Sequence, residues 1–179
     1  PTAAIRFLKK KAITVAGVID DRLLSEVKQA LLTGLKFGEA GQTTADRIKE
    51  VFEPYVGDPD KIADDEAVSP HRLETIVRTN TTDAYNQGRL VEARQLGSAM
   101  TGMEYSAVID DRTTPVCEEL DGKIFLMGSP ELDRLTPPNH FNCRSVLVPV
   151  VVGDSYDEDD VATSESLGKA LDLAGRGFV

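Results

Sequence analysis

Asp110-Asp111-Arg112-Thr113-Thr114-Pro115-Val116-Cys117, then Leu120-Asp121-Gly122-Lys123, then Pro137-Pro138-Asn139-His140-Phe141-Asn142-Cys143-Arg144-Ser145 is the stretch on which the fold of this chain turns. It holds both cysteines of the protein and one of its two histidines, His140, three residues before Cys143. Apolar runs flank and divide it: Tyr105 to Ile109, Ile124 to Met127, and Val146 to Val152. Short runs of this composition bounded by Gly, Pro and Asp read as strands, and Asp121-Gly122 is a tight-turn signal. Each half then reads as strand, turn, strand, with Cys117 in one connecting loop and Cys143 in the other. The third run is nearly all apolar, which predicts a buried strand. Gly128 to Pro138 reads as a loop.

Thiolate and imidazole are the ligands zinc prefers, and structural zinc sites draw them from paired short segments. Cys117, His140 and Cys143 are therefore candidate metal ligands, with Asp110 or Asp111 near enough in sequence to supply a fourth. Three arrangements fit the residues equally in kind: a zinc site, a metal-free clamp held by packing and hydrogen bonds, and a disulfide between Cys117 and Cys143. Arg112 and Arg144 flank the cluster, and the planar guanidinium suits bidentate pairing with Asp110, Asp111 or Asp121. A catalytic role would need more. Three protein ligands would leave a position for water, and Cys117 with His140 would make a thiol–imidazole pair. The chain has no His-Glu-x-x-His helix and no phosphate-cradling glycine run, so the reading is non-enzymatic.

Upstream the period changes to that of a helix. Leu23, Leu24, Val27, Leu31 and Leu35 recur at three- and four-residue steps behind Asp20 or Asp21, and Gly38 ends the segment. Thr43 or Thr44 opens a shorter helix that stops at Pro54. Gly57-Asp58-Pro59-Asp60 reads as a turn and Asp64-Asp65-Glu66 as a solvated link. Ser69-Pro70 is a helix start, serine as cap and proline in the first turn. The helix it opens runs to about Leu96, with Leu73, Ile76, Val77, Ala84 and Val91 on one face and Thr81 and Gly88 allowing close packing. Beyond an acidic stretch, Ser164 or Ser166 starts a short helix carrying Leu167, Ala170, Leu171 and Ala174. Its apolar stripe can dock on another subunit or on the chain's own core. The fold class is α+β: a helical N-terminal half, one long helix on a small, largely antiparallel sheet whose loops are tied by the Cys/His/Cys cluster, and a C-terminal helix.

The chain has 179 residues, 41% hydrophobic, with no Trp and a formal net charge of −10. That suits one domain with appendages or two small ones. It argues against a dedicated nucleic-acid binder, because affinity for phosphate comes mainly from Lys and Arg. Charge is unevenly placed: Arg6, Lys9, Lys10 and Lys11 open the chain, while Asp154, Asp157, Glu158, Asp159 and Asp160 break it near the end. No apolar run approaches the length that spans a bilayer, and no membrane association is expected.

The central stretch also resembles the phage Mu F-like head-morphogenesis family, the minor head proteins of tailed bacteriophages. The residues that carry this are Asp111-Arg112-Thr113, Cys117, Leu120-Asp121-Gly122, Pro137 to Arg144 and Val146-Leu147-Val148, with Arg78-Thr79, Tyr85-Asn86 and Gly88 upstream. Two departures stand out. Many members carry Cys-x-x-Cys where this chain has Thr114-Pro115-Val116-Cys117, and Cys-Arg-Cys where it has Cys143-Arg144-Ser145, so a four-thiolate site is impossible here. The resemblance implies a head-morphogenesis domain over residues 69–152, between a helical region at 1–68 and an acidic linker with a helix at 153–179. It implies a structural minor head protein in the virion, assembled in the host cytoplasm. Its partners would be the portal protein and the major capsid protein, with only weak contact to packaged DNA. The alternatives from other classes are a zinc-dependent or thiol enzyme packaged in the head and a free-standing cytoplasmic interaction module.

Overall fold

In a computed structural model, residues 2–13, 21–55 and 70–174 are described. The turn read at Gly57 to Asp60, the link at Asp64 to Glu66 and the Ser69 cap lie outside them. The architecture is α+β, as the patterning predicts.

Helices α1 (Thr2–Lys10), α2 (Asp21–Phe37) and α3 (Gly41–Phe52) precede α4 (Pro70–Leu96). Leu23, Val27, Leu31 and Leu35 form the buried stripe of α2, and Gly38 ends it in the left-handed region at φ 65°. Helix α3 starts at Gly41, ahead of the expected threonines, and Ala40 caps it without a side-chain bond. After Phe52 the chain tightens into one 3-10 turn, Glu53–Tyr55, because Pro54 has no N–H to continue an α-helix. Helix α1 lies across α4, with Ala4 and Leu8 buried. The crossing is close because Gly88 has no side chain: a Cβ there would stand 2.8 Å from the Ala4 backbone nitrogen. Lys11 adds an ion pair to the buried Asp83 of α4 and gives its carbonyl to Lys28 Nζ at 2.5 Å.

The buried side chains form two clusters, and α4 belongs to both. Leu73, Ile76, Val77 and Ala84 complete the helical cluster with α1, α2 and α3. Leu90 and Ala93 join the second cluster, built on Met103, Tyr105, Phe125, Leu132 and Leu135. Each fully buried Leu, Met or Phe contributes about 1.5–3 kcal/mol relative to exposure. This division corrects one reading. Val91, placed on the buried face by its spacing, is exposed, because the covered side of α4 changes as the helix passes from one cluster to the other.

The sheet has three strands, β1 (Met100–Ser106), β2 (Ile124–Leu126) and β3 (Val146–Val151), antiparallel in the order β2-β1-β3. The first strand lies several residues upstream of the expected Tyr105–Ile109, and Val108 and Ile109 are exposed. The Asp121 carboxylate captures the Ala107 N–H at 2.7 Å, and the Thr113 hydroxyl donates to the Val108 carbonyl at 2.8 Å, which turns the chain out of the sheet. The third strand is not buried throughout either: it is an edge strand, and Val148 and Val151 are exposed. Its outward N–H positions are all dealt with. Leu147 N donates to Asn86 Oδ1, Pro149 has no N–H, and Val151 N donates to Asp154 Oδ2, the two bonds each 2.9 Å. On the opposite edge, Ala162 N donates to the Ile124 carbonyl at 2.8 Å.

Two short helices occupy segments read as loops. Helix α5 (Pro115–Leu120) carries Cys117, and α6 (Pro130–Leu135) lies inside the expected loop, capped by Ser129 with Pro130 in the first turn. The last helix, α7 (Gly168–Ala174), docks on the chain's own second cluster through Leu167 and Ala170. Among the described residues no helix is long and apolar enough to cross a membrane.

Candidate metal centre

Helix α5 starts at Pro115, whose missing N–H costs nothing in a first helical turn. That places Cys117 against the segment following the cis Pro137–Pro138 bond. The Cys117 sulfur lies 3.1 Å from His140 Nε2 and 3.8 Å from the Cys143 sulfur. All three ligand atoms fall within 4.8 Å of one another, both cysteines being buried and His140 half-buried. The three residues singled out from sequence therefore do converge, although Cys117 comes from a helix and not from a loop between strands. Both cysteines are free, and their sulfur separation is far from the roughly 2.05 Å of a disulfide.

The surrounding hydrogen bonds orient each donor atom. His140 Nδ1 lies 2.7 Å from the Phe141 carbonyl, so it carries a proton and donates it, which turns Nε2 toward the Cys117 sulfur. Backbone N–H groups of Ser145 and Asn139 donate to the Cys143 sulfur. The hydrogen bond from Cys143 lowers the pKa of Cys117, with further help from His140, Ser145 and Tyr105. The same contact, reinforced by burial, raises that of Cys143. Burial would lower the pKa of His140, but its bond to Cys117 and that thiolate's charge outweigh burial and raise it.

A second ring of groups encloses the cluster. The Tyr105 hydroxyl lies 3.3 Å from the Cys117 sulfur and accepts from Asn139 Nδ2 at 3.1 Å; that same nitrogen also donates to the Leu135 carbonyl at 3.0 Å. Of the two positions where the family resemblance has further cysteines, Ser145 is buried beside the Cys143 segment, while the hydroxyl of Thr114 is buried without a hydrogen-bond partner. Tyr105 was read only as a strand residue and Asn139 only as a motif letter. Burial of a hydroxyl and an amide inside apolar surroundings is a tertiary property with no local signal.

Outside this ring, Arg144 grips Asp110 through both guanidinium nitrogens, at 2.7 and 2.5 Å, tying the loop before α5 to the segment after Cys143. Asp110 is the partner among the three aspartates named for the flanking arginines. Its bonds from Arg144 and from the Arg112 N–H hold its carboxyl well below the usual range. From the other side, α4 anchors the same segment: Thr79 Oγ1 accepts from Asn142 N, Thr82 donates to the Cys143 carbonyl, and Asn86 bridges the Ser145 carbonyl and the Leu147 N–H. The Arg-Thr and Tyr-Asn pairs of the long helix are thereby half explained, since Thr79 and Asn86 hold the Cys143 segment.

Residues 25–148 match the family described as Phage Mu protein F like protein, well over half of the 179 residues. The chain belongs to that family. Among curated relatives, the Escherichia phage Mu protein that carries the provisional name capsid assembly protein F is 31% identical over 126 residues, covering 66% of this chain and 28% of its own length. The Mu-like prophage FluMu F protein of Haemophilus influenzae is 37% identical over 76 residues, 42% of this chain and 18% of that relative. The chain thus spans less than a third of the length of either. No solved structure matches it. The Mu F-like match begins within α2, upstream of the motif residues, and takes in every residue of the cluster and its anchor on α4.

Proposed function

We propose that this chain is a structural component of a tailed-phage head, acting in head assembly or DNA delivery at the portal vertex. The observation that carries this is the family match across residues 25–148, supported by the capsid-assembly name of the phage Mu relative. The portal is the proposed partner, with the major capsid protein second and packaged DNA at most weakly touched, given the net charge of −10. The test is to isolate proheads and virions and probe them for the chain, and to ask whether it co-purifies with the portal. Absence from both particles would favour a free-standing cytoplasmic module instead.

Within that role, we propose that Cys117, His140 and Cys143 hold zinc, which pins α5 to the Cys143 segment. Zn–S bonds of about 2.3 Å in a tetrahedron put two sulfurs about 3.8 Å apart, the separation this pair has. The proton on His140 Nδ1 and the N–H groups aimed at Cys143 are the outer bonds that metal-ligating His and Cys use. Zinc there supplies a cross-link, and this chain's residues orient the donors. Asp110, engaged by Arg144 through both oxygens, is withdrawn as a fourth ligand. A thiol-enzyme role fits poorly, since the Cys117 sulfur is enclosed by His140, Tyr105, Ser145 and Cys143. Elemental analysis of the purified chain is expected to give about one zinc per chain, and Cys143→Ser to lose it. A metal-free clamp gives no zinc at all.

A further inference from the structure

The Tyr105 hydroxyl is one that no ligand set requires, yet it is buried against the sulfur of Cys117. We propose that Tyr105 is a positioning residue of the metal centre: its hydroxyl donates a hydrogen bond to the Cys117 sulfur and sets how tightly it holds the metal. This rests on the zinc reading of Cys117, His140 and Cys143.

The direction of the Tyr105 bond follows from its neighbours. Asn139 Nδ2 spends one hydrogen on the Leu135 carbonyl and the other on the Tyr105 oxygen. A metal-bound cysteine is a thiolate with no proton of its own, so the hydroxyl hydrogen of Tyr105 points at sulfur, 3.3 Å away. The ring cannot swing elsewhere, because it is fully buried and packed edge-on against Phe125 with centroids 6.5 Å apart. In a buried site such a bond is stronger than in water, and an unpaired thiolate is correspondingly costly. A donor on Cys117 offsets part of the negative charge that two thiolates bring to a site with a single neutral imidazole. It also lowers the energy of the sulfur lone pair, which is directly visible with cobalt in place of zinc.

The experiment is to titrate the full chain and the variant Tyr105→Phe with cobalt(II), and to measure zinc affinity against a chromophoric chelator. The expected result is a sulfur-to-cobalt charge-transfer band that moves to lower energy in the variant, with zinc bound roughly 10–100-fold more weakly. Phe125→Leu, which loosens the same packing but keeps the hydroxyl, is expected to leave the band where it was. A variant with the parent band and affinity would overturn the proposal while leaving the zinc site intact. Weaker binding with an unmoved band, matched by Phe125→Leu, would reduce Tyr105 to packing and overturn it as well. A parent chain with no charge-transfer band would remove the zinc reading and this one together.

Discussion

His140 offers two states that respond to pH with opposite signs. Without metal, its raised pKa means that the folded chain binds a proton more tightly than the unfolded one. The resulting stability is fully present below the ordinary value of 6.5 and is lost as pH rises through the folded value. With zinc, the proton competes with the metal, so the contribution grows as pH rises. Cys117, whose pKa is lowered by its bond from Cys143, contributes in the opposite sense, so without metal the two groups offset one another over this range. Thermal melts between about pH 6 and 8 are therefore expected to rise with pH when zinc is bound and to flatten with a chelator; a slope that the chelator leaves unchanged would mean that no metal is held. Asn86 carries a second prediction. It is fully buried and bonds the Ser145 carbonyl and the Leu147 N–H at 3.1 and 2.9 Å. Asn86→Leu strands both groups, at about 1–3 kcal/mol for each buried group left unpaired. Urea denaturation is expected to show this loss, and zinc affinity to fall with it.

Helix α4 is where two packing problems meet, and its neighbours show how local rules pass into tertiary ones. At Gly88, a methyl group would press on the Ala4 backbone, so Gly88→Ala is expected to push α1 off α4 and cost about 1–3 kcal/mol by overpacking. An unchanged denaturation midpoint would show that α1 contributes little to the fold. The bounds of α4 are readable because their signals are local: Pro70 stands at its first position and Gly97, at φ 55°, closes it. The Ser-Pro signal at Ser129-Pro130 was passed over because the helix it opens has only six residues and no periodic stripe. Cys117 was assigned to a loop for a similar reason, Thr114-Pro115 being a helix start with too little helix behind it. Convergence of Cys117, His140 and Cys143 was legible from residue type and spacing, whereas which arginine meets which of Asp110, Asp111 and Asp121 was not. Tyr105, Asn139 and Ser145 were not, because their partners lie across the fold, and a serine beside a cysteine motif reads as a bystander.

The two buried clusters share one helix, α4. Leu73, Ile76 and Val77 are covered by the first three helices, while Leu167 and Ala170 fill the second cluster from the far end of the chain. A fragment of residues 69–152 would bare the first set and, by losing the second, uncover the cluster that it fills. It is expected to associate in size-exclusion chromatography and to melt below the full chain, whereas a monomeric fragment with the parent melting point would show that the flanks are dispensable. The C-terminal helix spends its apolar stripe internally. The finished edge of β3 has a consequence for assembly. With Asn86, Pro149 and Asp154 closing its row of amides, this edge offers no free N–H to a strand from a neighbouring molecule. Copies held close together would be kept from zipping through it, and recognition there would fall to side-chain surfaces, which can be specific and can be undone.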